Sequence, residues 1–405
     1  MKAIQLRADA ARFALLQVLR PLSIRLCYSG PFSSVVLTDI PEPELPSQEW
    51  VKIRTRLCGF CASDLNLILM KDSPTAMPFT SFPCVPGHEL CGEIAEAGRD
   101  AEGWKAGDRV VVSPQLNCEP RGIKPVCRSC ARGMAPNCEN FAEGRLAPGM
   151  FTGICREING GFAPYLVAHR SQLFRVPPEV SWEAAVLTEP LAVSLQAVLA
   201  NMPDAKDKVL VIGCGVIGLL VVRAIRALKI DCHITVAEPS SFAAEHASQS
   251  GADAVVPGNP IDAAVTLAGG RAYKPAIGER VVMGGFNRIY DTVGSGKTLF
   301  AAMRALAAGG VLSVLGIGKN VKLDLTPLWL KLQTIKGCYA YGTVATADGP
   351  KPVFGMALEM IASGKVRTAD MLTHQFAIED YRKMIEVNLF KSRYRAMKTA
   401  ISFNH

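Results

Sequence analysis

A histidine and a cysteine about two dozen residues apart are the first places where this chain could do chemistry. His88 stands in Pro86-Gly87-His88-Glu89, and Cys61 closes Cys58-Gly59-Phe60-Cys61 ahead of Ala62-Ser63-Asp64. A thiolate and a neutral imidazole are ligand types that zinc prefers, and a catalytic zinc needs three protein ligands and one open position. Alone, a histidine after glycine reads as a polar residue satisfied at a turn. Its weight comes from its surroundings. Four further cysteines, Cys118, Cys127, Cys130 and Cys138, fall close together. A Cys-x2-Cys step with two more thiols nearby is the ligand set of a closed, structural zinc, which staples a loop and does not react. The stretch from Cys118 to Cys127 is long for such a site, so Glu119–Val126 must bulge. Free buried thiols are the plainer alternative. A nucleic-acid-binding zinc ribbon is a third reading, but no basic, aromatic face accompanies the cluster.

A second constellation is Gly213-x-Gly215-x-x-Gly218. It follows the apolar run Lys208–Ile212 and opens a helical stretch to about Lys229; Glu238 ends the next strand-like run, 233–237. Glycines at a strand-to-helix turn let the backbone approach a pyrophosphate, and the helix N-terminus favours its negative charge. The expected cofactor contacts are Gly213, Gly215, Val216, Ile217, Gly218 and Glu238. The Glu238 carboxylate would accept hydrogen bonds from the adenosine ribose and repel a 2′-phosphate, so NAD is favoured over NADP. The alternative is glycines present for packing alone.

These sites need elements to hold them. Residues 1–56 alternate strand-like runs (Val35-Val36-Leu37, Trp50–Arg54) with turns at Pro41, Pro43 and Pro46, and Val110-Val111-Val112 and Tyr165-Leu166-Val167 continue an antiparallel, β-rich pattern. From Ser181 to Asn201 the chain is Ala/Leu/Val-rich at helical spacing. Strands and helices then alternate, which argues an α/β, doubly wound parallel sheet. Residues 257–288, rich in Gly and Pro, read as an inserted loop. After about Gly337 the alternation weakens and the chain returns to its first domain. The expected division is 1–185, with a zinc lobe at 113–140, then 186–337, then 338–405.

Composition bounds the rest. A chain of 405 residues suits two domains. Hydrophobic content of 49% and charged content of 20% are those of a globular enzyme. No run of about 18 apolar residues is read, so no membrane partner is expected. The net charge of +8 is spread without a basic block, which speaks against nucleic acid. No secretory signal is read near the start, and a transit peptide is disfavoured because serines are scarce and Met1–Arg7 reads as a strand. The thirteen cysteines then read as metal ligands and thiols in a cytoplasmic setting.

The combination of Cys58–Asp64, Pro86–Glu89, Gly107-Asp-Arg-Val110, the cysteine lobe, Glu189-Pro190-Leu191-Ala192-Val193 and the glycine fingerprint resembles the zinc-dependent medium-chain dehydrogenases, nearest to their polyol and threonine dehydrogenase branch. The resemblance covers nearly the whole chain. It implies a GroES-like, partly open β-barrel catalytic domain with an inserted Rossmann domain, the active site in the cleft between them, two zincs and NAD. It also implies a small alcohol as substrate, with hydride passing to nicotinamide, and a homodimer or homotetramer. Cys61 and His88 then stand as catalytic zinc ligands, Ser63 as the hydroxyl that passes the substrate proton, and Asp64 as the partner that orients His88. Glu189 and Glu89 are both candidates for the third ligand. Zn²⁺ with one thiolate and one carboxylate is neutral, and a second carboxylate would oppose deprotonating an alcohol there, so one glutamate at a time is expected. Asn66 stands where the family places a relay histidine and cannot titrate. Val293 and Gly316, each just past a strand-like run, are further expected cofactor contacts. Lys398 stands where a basic residue touches the pyrophosphate, with an ordinary surface lysine as the alternative. A zinc-free enone or quinone reductase and an inactive nucleotide-sensing scaffold are the competing functions.

Overall fold

The structure is a computed structural model that describes residues 1–316 and 321–403. The chain forms two compact units, Met1–Glu189 with Tyr341–His405, and Pro190–Ala340. The expected changeovers were at 185 and 337.

The spine of the first unit is the strand Trp50–Gly59. Alternate side chains, Val51, Ile53 and Leu57, are buried, as period-two patterning requires. It pairs antiparallel with Glu89–Ala97 along its length, with Tyr165–His169 over its first half, and with Lys398–Ser402 at its end. The sheet runs Leu372–Phe376, Lys398–Ser402, Trp50–Gly59, Glu89–Ala97, Arg109–Val112, Leu173–Arg175 and does not close, which makes a partly open barrel. Its core gathers Val51, Ile53, Ile94, Val110, Phe162 and Leu166. Register matters most at one corner: Gly59 lies opposite Glu89 on one side and Ala400 on the other.

Two helical features differ from expectation. The apolar, basic segment after Arg7 is a helix, α1 (Ala10–Leu19), capped by Asp9, whose carboxylate accepts from the Arg12 amide at 2.7 Å. It lies between the paired strands Lys2–Leu6 and Val35–Asp39. The helical stretch from Ser181 to Asn201 breaks at Val186–Leu187 into Trp182–Ala185 and Thr188–Ala200. Taken together, Trp182–Ala200 is long and apolar enough to cross a membrane by length and composition alone, although polar residues interrupt it. It is mostly buried in the fold, as core helices are.

The second unit is a six-stranded, all-parallel sheet in the order Ala254–Val256, His233–Ala237, Lys208–Ile212, Phe286–Asp291, Leu306–Val314, Thr334–Gly337. Numbered along the chain that is 3-2-1-4-5-6, the doubly wound dinucleotide-binding order. Val209 to Ile212 are all buried, the continuous apolar run of a strand covered on both faces. Residues 257–288 are not a bare loop. They hold a helix, Pro260–Thr266, with Asn259 as cap and Pro260 at its first position, and a hairpin of Arg271–Tyr273 with Val281–Met283. The Gly and Pro that suggested a loop are its turns.

Candidate active site

In the first unit a short helix, α2 (Ala62–Ile68), begins on Cys61. The Cys61 amide donates to Asp64 Oδ2 at 2.9 Å, which pins the first turn. Asp64 is buried, and its other oxygen lies 3.5 Å from His88 Nδ1. That leaves Nε2 as the outward nitrogen, with Ser63 Oγ 3.5 Å away. Burial alone would lower the His88 pKa, but the Asp64 carboxylate and Cys61 outweigh it and hold it well above the usual imidazole range. Phe151 packs on the ring at 4.9 Å between centroids.

Ligand atoms of Cys61, His88 and Glu89 all lie within 4.8 Å of one another. A thiolate, an imidazole and a carboxylate at that spacing are a donor set that fits zinc. Glu189 is not in this triad, but it is buried beside it. Burial chiefly, with Glu89 and Asp64, pushes its carboxyl up to about 7 against the opposing pull of His88 and Lys398.

Lys398 is not a surface lysine. It is 2% exposed, and its ammonium is ion-paired with Glu89. Gly59 makes room for the pair: a Cβ there would collide with Glu89 Oε2 and Lys398 Cε. A second lysine, Lys391, is close enough to Lys398, Cys61 and Glu89 to feel their charges. Burial and then Lys398 pull it down to about 8, and its Nζ donates to the Met397 carbonyl at 2.9 Å. Neither Lys391 nor Phe151 carries a sequence signal, because the packing of a short helix, Lys391–Tyr394, and of a loop brings them to the site.

The four lobe cysteines converge with sulfurs within 4.8 Å. A Zn–S bond of about 2.3 Å sets the sulfurs of a tetrahedral site roughly 3.8 Å apart; Cys138 lies 3.6 Å from Cys118 and 4.0 Å from Cys127. Backbone amides of Cys127, Cys130, Glu139 and Asn140 donate to the sulfurs at 3.3–3.5 Å. Burial resists ionisation of Cys127, but the Glu139 and Cys130 amides, with the Cys130 and Cys118 thiols, prevail and bring it down to about 7. The long gap after Cys118 holds a residue that spacing could not reveal. Arg121 is fully buried and donates to five carbonyls, of Leu116, Glu143, Leu146, Ala147 and Gly149, at 2.6–3.1 Å.

In the second unit the glycine turn sits at the end of Lys208–Ile212. Gly213 has φ 81°, and a Cβ on Gly218 would strike the Gly213 carbonyl, so the turn and the helix Val216–Ala227 pack closely. That helix starts on Gly215 with no side chain capping it, which leaves first-turn amides for an anion. Both Glu238 oxygens accept backbone amides, Cys214 N at 2.7 Å and Ser240 N at 2.8 Å. Val293 and Gly316 touch at the ends of the next two strands, where a Cβ on Gly316 would strike the Val293 carbonyl carbon. Buried Asp291 holds that corner by accepting from Val293 N and Gly294 N, each at 3.0 Å.

Two family models match the chain, the alcohol dehydrogenase GroES-like domain over residues 47–178 and the zinc-binding dehydrogenase over 216–359. The chain is 28% identical over 337 residues to (R,R)-butanediol dehydrogenase of Bacillus subtilis (strain 168), covering 82% of this chain and 86% of that one. It is 26% identical over 350 residues to L-threonine 3-dehydrogenase of Paraburkholderia xenovorans (strain LB400), covering 86% and 91%. The crystal structure of 2R,3R-butanediol dehydrogenase from Bacillus subtilis shares the fold, with a TM-score of 0.73 at 24% identity over 100% of this chain and 99% of that chain. The chain belongs to the zinc-binding medium-chain dehydrogenases, and is an oxidoreductase of the kind that oxidises alcohols with a nicotinamide cofactor.

Proposed function

We propose that the protein oxidises a secondary alcohol or polyol-like substrate to a ketone or aldehyde with NAD⁺. The convergence of Cys61, His88 and Glu89 beside Ser63 supports this most directly. When bound there, zinc lowers the pKa of an oxygen ligand by several units, as it takes water from 15.7 to about 7. The chain's own residues do the rest. Asp64, 3.5 Å from His88 Nδ1, orients the ring, and Ser63 accepts the substrate hydroxyl proton as it hands its own on toward solvent water. The carbinol carbon gives its hydride to the nicotinamide, so alcohol and NAD⁺ become carbonyl, NADH and a proton. Glu189, an acid near 7 beside the triad, suits the ligand position that must stay exchangeable. A secondary alcohol is supported by the named activities of the relatives.

Four finer points belong to the same reading. A second, structural zinc sits among Cys118, Cys127, Cys130 and Cys138. NAD is preferred because Glu238 is held in place by two amides where a 2′-phosphate would meet its charge. The edge strand Thr334–Gly337 is exposed throughout, beside exposed Trp329, Leu330 and Leu332, which supports a homo-oligomer formed through that edge. Thirteen unpaired cysteines suit the cytoplasm. The test is NAD⁺ and NADP⁺ reduction by zinc-replete protein across simple alcohols, diols, sugar alcohols and hydroxy amino acids. Turnover with a diol or polyol and NAD⁺ is expected. No reduction with any alcohol would overturn the reading.

A further inference from the structure

Residues 7–34 leave the sheet after Leu6 and return at Val35, opposite where they left. They precede the residues matched by the family models, which start at 47. Their apolar contacts are specific: Leu16 and Cys27, with Phe13 and Ile24, form one cluster with Leu65, Leu69 and Met70. Leu65 lies in α2, and Leu69 and Met70 follow its last residue. The polar contacts converge on the same end. Ser34 Oγ donates to the Ile68 carbonyl at 2.6 Å. Arg20 Nη1 donates to the carbonyls of Leu69 at 2.9 Å and Met70 at 3.0 Å. Gln17 Nε2 donates to Met70 at 2.8 Å, and its own oxygen accepts from Arg20 Nη2 at 3.1 Å. Carbonyls at a helix C-terminus have no partner within the helix, and here the excursion supplies a donor to three in succession. A cation there also suits the helix dipole. Met70 has φ 51°, a left-handed conformation rare for such a side chain, and it is held from two sides.

We propose that this excursion is a clamp for the helix that carries the chemistry, with Arg20 and Gln17 as positioning residues. The inference rests on the dehydrogenase reading of Cys61, Ser63 and His88. Helix α2 is two turns long, about 10 Å at 1.5 Å per residue, with Cys61, Ser63 and Asp64 at one end and the clamp at the other. Held at its C-terminus, it keeps Cys61 and Ser63 on His88; released, it can rock, and a shift of about 1 Å in a positioned group can cost 10²-fold in rate.

The variants are Arg20→Met, Arg20→Lys and Gln17→Ala in the full-length holoprotein. The readouts are kcat, KM for alcohol and for NAD⁺, NADH binding by fluorescence, zinc release to a chromophoric chelator, and Tm. Arg20→Met is expected to lower kcat about tenfold or more and to speed loss of the first zinc, while NADH binding stays within about twofold. Arg20→Lys should recover part of kcat, because an ammonium can still reach one carbonyl. Folded variants with unchanged kcat and zinc release would overturn the clamp, as would NADH affinity, Tm and kcat falling together. If Arg20→Met does not fold, Gln17→Ala and Arg20→Lys give the same comparison. Wild-type protein that binds zinc but reduces no cofactor would instead count against the dehydrogenase reading, and the zinc-release comparison would still test the clamp.

Discussion

At the residue scale, charge decides how the metal cluster works. With only one thiolate counted, a second glutamate overloads the site. Lys398 changes that count, because its ammonium is paired with Glu89 and offsets the charge of that carboxylate. Lys398 decides how freely Glu89 reaches the metal, while burial holds the Glu189 carboxyl up at about 7. Lys398→Met should lower kcat by at least about tenfold, the scale of one buried charged hydrogen bond at 1.5–3 kcal/mol, and should loosen zinc while the KM for NAD⁺ holds. A raised KM for NAD⁺ with kcat intact would return Lys398 to the pyrophosphate role suggested by the sequence. Glu238→Gln should bring the kcat/KM values for NAD⁺ and NADP⁺ closer together, as steady-state kinetics with both cofactors would show; an unchanged ratio would place the discrimination elsewhere. The cysteines and histidine were legible as ligand types at metal spacing. The tie of Lys398 to Glu89 was not, because the pairing of Trp50–Gly59 with both Glu89–Ala97 and Lys398–Ser402 brings the two together.

At the element scale, a buried arginine and a half-exposed ion pair tie elements together. Arg121 stands inside the stretched gap of the cysteine lobe and satisfies five carbonyls with one guanidinium. Arg121→Met leaves these acceptors unmatched and should cost at least about 3 kcal/mol. It should also release the lobe zinc early in a thermal ramp followed with a zinc dye; a lobe that keeps its zinc would assign the bulge to packing alone. Asp108 joins Arg175 at 2.6 Å, tying the strand Arg109–Val112 to Leu173–Arg175. Desolvation opposes its ionisation, but Arg175 and the Lys105 amide outweigh it, so its pKa lies below the usual carboxylate value. The sign follows from linkage: with the folded value depressed, the stabilisation is full above about pH 5 and is lost as pH falls through about 4 and below. Urea melts of Asp108→Asn and wild type should differ at pH 7, and the gap should shrink as pH falls below about 4; a constant gap would exclude the ion pair as its cause. The strand-to-helix glycine turn was readable because apolar run, glycines and acid occur in that order. Helix α1 was not, since Leu16 is its only buried residue and its periodicity is faint. The 257–288 helix and hairpin were hidden by their own turn residues.

At the scale of the whole molecule, family and fold class were legible, because they rest on motifs and on strand–helix alternation. Substrate choice was not, since it depends on loops that spacing cannot place. Oligomeric state belongs to this scale. Ile335→Glu on the exposed edge strand should convert an oligomer to monomers by light scattering, and an unchanged mass would move the interface elsewhere. The central claim is that Cys61 and His88 hold a catalytic metal distinct from the one in the cysteine lobe. It is tested most directly by zinc per chain, by elemental analysis before and after mild chelation, with NAD⁺ reduction assayed in parallel for wild type and His88→Ala. Two zincs in wild type, one lost together with turnover, and one in an inactive His88→Ala that still binds NADH are the predicted results. Near-normal turnover in dialysed His88→Ala, or wild type with a single zinc that chelation cannot separate from activity, would contradict the account.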